Sequence, residues 1–203
     1  MLIKQTNNSE QKGLLYLHLS EAFETISIDS SIHYAKLGLK LFESLNAKKG
    51  IAESSADLGR YFILQNNLDS AKVNYSRARD NFRETDSLFS YTQNTMRLGN
   101  INLAQNNHIE ALQLYQECLA ISRDNTFKTL IPHLYNNIGL VYKQIEEFDD
   151  AKDNFNKAYN NFINEFHMLA NTLNNYQYIH TLLHALNPRD LLNHGSSLKV
   201  RSL

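Results

Sequence analysis

Two histidines one helical turn apart are the closest approach to a metal site in this sequence. His180 and His184 are four residues apart, so an α-helix would place both imidazoles on one face, as two zinc ligands require. A zinc site needs at least one further protein ligand, and His133 and His194 would supply it only if the fold brought them close. We therefore predict no metal and no cofactor, and interpret these histidines as polar surface or helix-capping residues.

Two other reactive features also favour a structural interpretation. Cys118 is the single cysteine, which excludes an intramolecular disulfide and a cysteine-rich zinc module. The acidic run of residues 146–150 lacks the glycine-containing loop of a calcium-binding hand and is typical of a solvated turn; its carboxylates are Glu146, Glu147, Asp149 and Asp150. No nucleophile, base and orienting group stand out together, so the sequence predicts no catalytic residue and no enzyme.

Composition limits the fold class and the partners. The 20 Lys and Arg against 21 Asp and Glu give a net charge of −1, which provides no positive field for a nucleic acid or an anionic membrane. No apolar run approaches the roughly 18 residues of a membrane-spanning helix, so we expect no membrane insertion. The single cysteine is compatible with a reducing compartment, and we expect a cytoplasmic protein. Only 7 Gly and 2 Pro in 203 residues are too few for a β-sandwich or barrel, which favours an all-α fold.

A repeat with a period of forty residues organises the chain. An apolar-glycine pair recurs at Leu58-Gly59, Leu98-Gly99 and Ile138-Gly139. Twelve, sixteen and nineteen residues after each glycine come a small residue, an aromatic and another small residue: Ala71, Tyr75, Ala78; Ala111, Tyr115, Cys118; and Ala151, Phe155, Ala158. The i, i+4, i+7 spacing places these three on one helix face, so each unit is predicted to be a helical hairpin. In that hairpin we expect glycine to approach alanine of the partner helix, with the aromatic one turn further along.

This pattern resembles the tetratricopeptide repeat family, whose signature is a Leu-Gly pair on the first helix and an Ala, aromatic, Ala series on the second. The resemblance implies a right-handed all-α superhelix, or α-solenoid, of about four helical hairpins plus a C-terminal capping helix. The resemblance covers roughly residues 12–185. We predict a single domain over 1–203, divided into a diverged repeat near 12–51, repeats at 52–91, 92–131 and 132–171, a capping helix at 167–186 and a tail at 187–203. Units of forty residues are similar to those of bacterial regulatory and sensor proteins.

The resemblance also implies which side chains meet a partner. In this family the first helices line the concave surface, and residues one turn before and after the Leu-Gly pair point into the groove. The corresponding binding residues here are Asp57, Arg60, Gln93, Arg97, Asn100, His133, Asn137, Gln144, Gln177 and His180, beside Glu53, Leu64, Leu173 and His184. Amide and guanidinium groups of this kind can hydrogen-bond an extended peptide.

The two groove arginines leave two alternatives open. Arg60 and Arg97 together would hold a carboxylate of the partner, or Asp57 would pair with Arg97 and leave no free charge. The predicted function is a non-catalytic scaffold that binds a protein or peptide ligand in its groove. The alternative is a peptide-sensing regulatory domain of a bacterial signalling system, similar to quorum-sensing regulators or sensor-kinase-associated domains.

Overall fold

The computed structural model describes residues 9–164, and within them the chain is helical with no strand. Each helix packs antiparallel against the next in helical hairpins, as predicted for an all-α solenoid. The predicted capping helix 167–186 and tail 187–203 lie outside the described residues. The helices are α1 (Ser9–Ala22), α2 (Ile28–Ser44), α3 (Lys48–Leu64), α4 (Leu68–Glu84), α5 (Leu88–Ala104), α6 (His108–Asp124), α7 (Ile131–Gln144) and α8, which begins at 148 and continues to the last described residue, 164.

Six turns repeat one backbone geometry every twenty residues. In each, one residue other than glycine has a φ between 52° and 66°: Asn46, Asn66, Asp86, Asn106, Thr126 and Glu146. The next residue donates its N–H to the carbonyl five positions back, for example Asn67 to Phe62 at 2.8 Å and Asn107 to Asn102 at 2.8 Å. These bonds close the helix ends in the Schellman pattern, and Asn and Asp tolerate the left-handed residue that the pattern needs. Asn66 and Asn106 take this conformation in the turns that follow α3 and α5.

The repeated glycine admits an aromatic ring, and here the predicted packing is wrong in one detail. A Cβ added to Gly59 would lie 2.7 Å from Cδ1 of Tyr75, and one added to Gly99 would lie 2.6 Å from Cε1 of Tyr115. Gly139 faces Phe155 in the same way, at 2.8 Å. The ring therefore lies directly on the glycine, not one turn beyond it.

The first hairpin solves the same packing problem with other residues. In the columns where later units carry glycine and an aromatic, it has Leu19 and Ala35. The aromatic ring comes instead from Phe42 of α2, and a Cβ on Gly13 of α1 would meet its Cζ at 2.7 Å. Gly50 of α3 also faces this ring, so Phe42 lies between two helices that each provide a glycine. This replacement explains why the first repeat looks diverged in sequence.

Among the described residues, 9–158 form one compact unit, and 159–164 fall outside it. The observed hairpins α3–α4 and α5–α6 begin at Lys48 and Leu88, four residues before the predicted boundaries at 52 and 92.

Cys118 is fully buried in the core between α5 and α7, and its thiol donates to the carbonyl oxygen of Thr92 at 3.3 Å. This burial agrees with the predicted packing role of the side chain, and it raises the pKa of Cys118 to about 12. No described helix is both long enough and apolar enough to cross a membrane.

Candidate functional site

One polar stripe runs along the first helix of each hairpin. On α3 it occupies positions 53, 57 and 60, while the intervening positions 54, 55, 58 and 59 are buried. The spacing is again i, i+4, i+7, so the stripe lies on one helix face. We call the surface that α3, α5 and α7 form with these residues the first-helix face: Glu53, Asp57, Arg60, Gln93, Arg97, Asn100, His133 and Asn137, all partly or fully exposed.

Arg60 is held by two carboxylates within the protein. Its guanidinium forms ion pairs with Glu24, from the turn after α1, and with Asp57 at 3.1 Å, and it lies 4.8 Å above the Tyr61 ring. Although partial burial lowers the pKa of Arg60, the hydrogen bonds to Glu24 and Asp57 raise it above its ordinary value. The charge of Arg60 is thus already neutralised by Glu24 and Asp57.

Arg97 occupies a different environment. Its guanidinium lies 5.5 Å from the centre of the Tyr75 ring, and Nη1 approaches Asn94 Oδ1 at 3.5 Å, the limit of a hydrogen bond. Among residues 9–164 no carboxylate forms an ion pair with it. The alternative in which Asp57 pairs with Arg97 is wrong, because Asp57 lies one helical turn from Arg60 and bonds to that guanidinium instead.

An acidic cleft of about 330 Å³ lies on one side of Arg97, between α1, α3 and α5. Its carboxylates come from Glu21, Glu53 and Asp57. Burial raises the pKa of Glu53, an effect that Lys49 opposes and Glu21 reinforces. Burial likewise raises the pKa of Asp57, against the hydrogen bond from Arg60. These carboxylates lie close enough to repel one another, so the cleft disfavours a further anion.

An apolar cleft of about 280 Å³ lies on the other side of Arg97, near the ends of α3 and α5. Arg97 and Asn100 lie at its edge. Its apolar walls are formed by Ile63, Leu68, Tyr75, Ile101 and Ala104. One arginine therefore borders both an acidic cleft and an apolar cleft on the same face.

Amide hydrogen bonds connect the first helices of successive repeats. Asn100 Oδ1 accepts a hydrogen bond from Tyr115 Oη at 2.7 Å and another from Asn137 Nδ2 at 2.9 Å. Tyr115 is fully buried, so these bonds fix the position of the Asn100 amide. The predicted residues Asn100 and Asn137 are thus brought together by the fold.

The other predicted residues have different outcomes. Gln93 lines the acidic cleft, His133 lies exposed near the start of α7, and Gln144 is the last residue of α7. Leu173, Gln177, His180 and His184 lie outside the described residues. Within 9–164, no group of three or more His, Cys, Asp or Glu side chains is arranged to hold a metal ion.

Sequence reasoning missed Glu24, which has no counterpart in the repeat columns. A signal exists in the spacing, since Glu24 and Arg60 are 36 residues apart. The same spacing joins Gln65 to Asp29 at 2.8 Å and Gln105 to Asp69 at 3.2 Å. Polar residues of neighbouring repeats thus come into contact when they are 36 residues apart, which is about one helical turn less than the forty-residue repeat.

Comparison with known proteins agrees with this geometry. Residues 91–164 match the model of the tetratricopeptide repeat family. These residues are tetratricopeptide repeats. The hairpin α3–α4 has the same glycine and aromatic columns and the same contact between them, so the same helical packing extends toward the N-terminus. We found no curated protein whose sequence matches this chain.

Solved structures share the tetratricopeptide fold at low sequence identity. Aspartyl phosphate phosphatase F from Bacillus subtilis superposes with a TM-score of 0.70 at 13% identity, over 77% of this chain and 41% of the phosphatase. A signal transduction ATPase with a tetratricopeptide repeat sensor, from Pyrococcus horikoshii, gives 0.74 at 20% identity, over 80% of this chain and 26% of the ATPase. A Rap protein complexed with competence and sporulation factor gives 0.64 at 12% identity, over 82% and 48%. This chain spans less than half the length of each, and the likeness establishes the fold alone.

Proposed function

We propose that this protein is a non-catalytic scaffold that binds a partner polypeptide on its first-helix face. The observation that carries the proposal is the contrast between Arg60, which two carboxylates neutralise, and Arg97, which has no ion pair in the described chain. An arginine held over an aromatic ring at the edge of two clefts is a ready contact for an acidic group.

In this proposal the predicted site residues divide into those that contact the ligand and those that position the first-helix face. Gln93, Arg97, Asn100, His133, Asn137 and Gln144 form the binding set on the described helices, and we extend it to Gln177 and His180. Asp57 and Arg60 act differently in this proposal: with Glu24 they hold the turn after α1 against α3, and so position the face without contacting the ligand.

A regulatory sensor domain is the second candidate. The ATPase matched in fold has a tetratricopeptide repeat sensor, and the matched Rap protein is complexed with competence and sporulation factor. In both cases the matching array is only part of a longer protein. For this chain, the sensor version requires that ligand binding on the first-helix face alter the activity of an attached or associated protein.

Affinity capture with two single charge-reversal variants tests the scaffold proposal. The bait proteins are the parent chain, Arg97→Glu and, as the matched control, Lys40→Glu, which reverses an exposed charge on α2. We expect Arg97→Glu to lose partners that the parent and Lys40→Glu both retain, because the repulsion acts only on the first-helix face. Equal recovery with all three baits would contradict a binding role for this face.

A further inference from the structure

The apolar cleft and the donors at its edge are arranged as one recognition unit. Arg97 and Asn100 are three residues apart on α5, so both side chains emerge on the same side of that helix. Both border the apolar cleft, whose walls include the nearly buried Tyr75 and Ile101. A ligand group that contacted both donors would therefore bring its neighbouring atoms to the cleft.

The donors retain hydrogen-bonding capacity. The Asn100 carbonyl oxygen already accepts from Tyr115 and Asn137, which leaves its amide nitrogen as the group available to a ligand. The planar guanidinium of Arg97 carries five N–H donors, of which the described chain engages one at 3.5 Å. Adjacent guanidinium and amide donors match the two oxygens of a carboxylate.

The size of the cleft suits a single large apolar side chain. An apolar cavity of about 150 Å³ in another protein accommodates benzene, so a cleft of about 280 Å³ has room for a leucine, methionine or phenylalanine side chain. Ala104, which is exposed on the wall, leaves that volume open.

The surroundings restrict how much negative charge a ligand can carry. On the opposite side of Arg97, the acidic cleft presents Glu21, Glu53 and Asp57. A second acidic group on that side would meet these carboxylates, so a polyacidic segment is disfavoured. The face also continues past Arg97 in both directions, to Gln93 and to Asn137, which leaves room for the chain on each side.

We propose that Arg97, Asn100 and the apolar cleft form one subsite for an internal partner segment with a single Asp or Glu beside a large apolar residue. The carboxylate lies on Arg97 and the Asn100 amide, and the apolar side chain enters the cleft. This inference rests on the proposed function and names the chemistry of its ligand.

Selection from displayed random dodecapeptides, followed by affinity measurement, tests the subsite. Enriched sequences are synthesised with amidated C-termini, so that the only carboxylates are side chains. We expect enriched peptides to carry one Asp or Glu within two positions of Leu, Ile, Met or Phe. Changing that Glu to Gln in the peptide should weaken binding at least tenfold, and this change cannot affect the folding of the protein.

Two protein variants and a matched control complete the test. Arg97→Gln should weaken binding at least tenfold by removing the guanidinium, and Ala104→Phe should do the same by filling the cleft. Arg123→Gln removes a comparable arginine, 5.7 Å above the Tyr135 ring, and should change the dissociation constant less than twofold. Thermal melting confirms that each variant is folded before binding is compared.

The outcomes separate this inference from the proposed function. Peptide-induced NMR shifts along α3, α5 and α7, with an affinity that both variants retain, would overturn the subsite and leave the binding face intact. Shifts confined to α2, α4 and α6, or no enrichment at all, would overturn both. Enriched peptides that lack an acidic residue, or that bind only with a free C-terminal carboxylate, would overturn the internal acidic-apolar segment.

Discussion

Arg60 and Arg97 lie on equivalent faces of neighbouring first helices, yet their surroundings differ. Arg60 bonds to Glu24 and Asp57 and joins the turn after α1 to α3. Arg97 lies over a tyrosine ring between two clefts and has no ion pair within residues 9–164. The same residue type on the same kind of helix therefore has two different surroundings: Arg60 holds repeats together, and we propose that Arg97 contacts a ligand.

The comparison depends first on the register of the helices that carry the two arginines. Replacing Gly99 with Leu should destabilise the hairpin α5–α6 by about 3 kcal/mol or more, because even a Cβ there would lie 2.6 Å from the buried Tyr115 ring. Urea unfolding measures the loss. The matched control is Ala104→Leu on the same helix, where the side chain is exposed, so the added volume should cost much less. Equal losses at both positions would show that the register of α5 is wrong.

A second prediction concerns the stability contributed by each arginine. Arg60→Gln should lower the free energy of unfolding by about 1–2 kcal/mol, because it removes two charge-assisted hydrogen bonds and leaves the half-buried Asp57 without its cation. Arg97→Gln loses only a contact with an aromatic ring and should cost about 0.5 kcal/mol. Chemical denaturation of the two variants under identical conditions measures the difference, and equal costs would contradict the assignment of Arg60 to an internal network.

Sequence and structure agree most closely where the repeat is regular. The glycine and aromatic columns predict the hairpins because small and large side chains at fixed spacing admit few packings. The turns are equally regular, because Asn66 and Asn106 tolerate the left-handed conformation that follows the ends of α3 and α5. The first hairpin was harder to interpret, because Phe42 supplies its ring from outside the aromatic column.

The candidate site was predictable only in part. The resemblance to tetratricopeptide repeats predicted that Arg97 and Asn100 share one face, and both do border the apolar cleft, while their role in binding stays a prediction. The partner of Arg60 was not, because Glu24 lies in a turn of the neighbouring repeat and no periodic column marks it. Whether an arginine forms an internal ion pair depends on such contacts between repeats. These contacts depend on the distance between side chains in the folded structure, which the sequence does not show.

The third prediction uses pH to sharpen the comparison. Burial and nearby Glu21 raise the pKa of Glu53 above its ordinary value, so the folded state binds this proton more tightly than the unfolded state does. The contribution of Glu53 to stability therefore falls as pH rises from the unfolded pKa of 4.5 through the higher folded pKa. Glu53→Gln should gain stability relative to the parent between pH 4 and pH 7, by less than about 1 kcal/mol.

Paired thermal melts of Glu53→Gln and the parent across this range give the sign. A difference between Glu53→Gln and the parent that is independent of pH would contradict a crowded acidic cleft.

The most direct test of the division between the two arginines is a single experiment that measures peptide affinity and melting temperature for Arg60→Gln and Arg97→Gln side by side. We predict that Arg97→Gln loses at least tenfold in affinity for a selected acidic-apolar peptide while its melting temperature stays close to that of the parent. Arg60→Gln should show the reverse, with a lowered melting temperature and a dissociation constant within about threefold of the parent once both proteins are folded. Loss of affinity in Arg60→Gln together with full binding by Arg97→Gln would contradict the account.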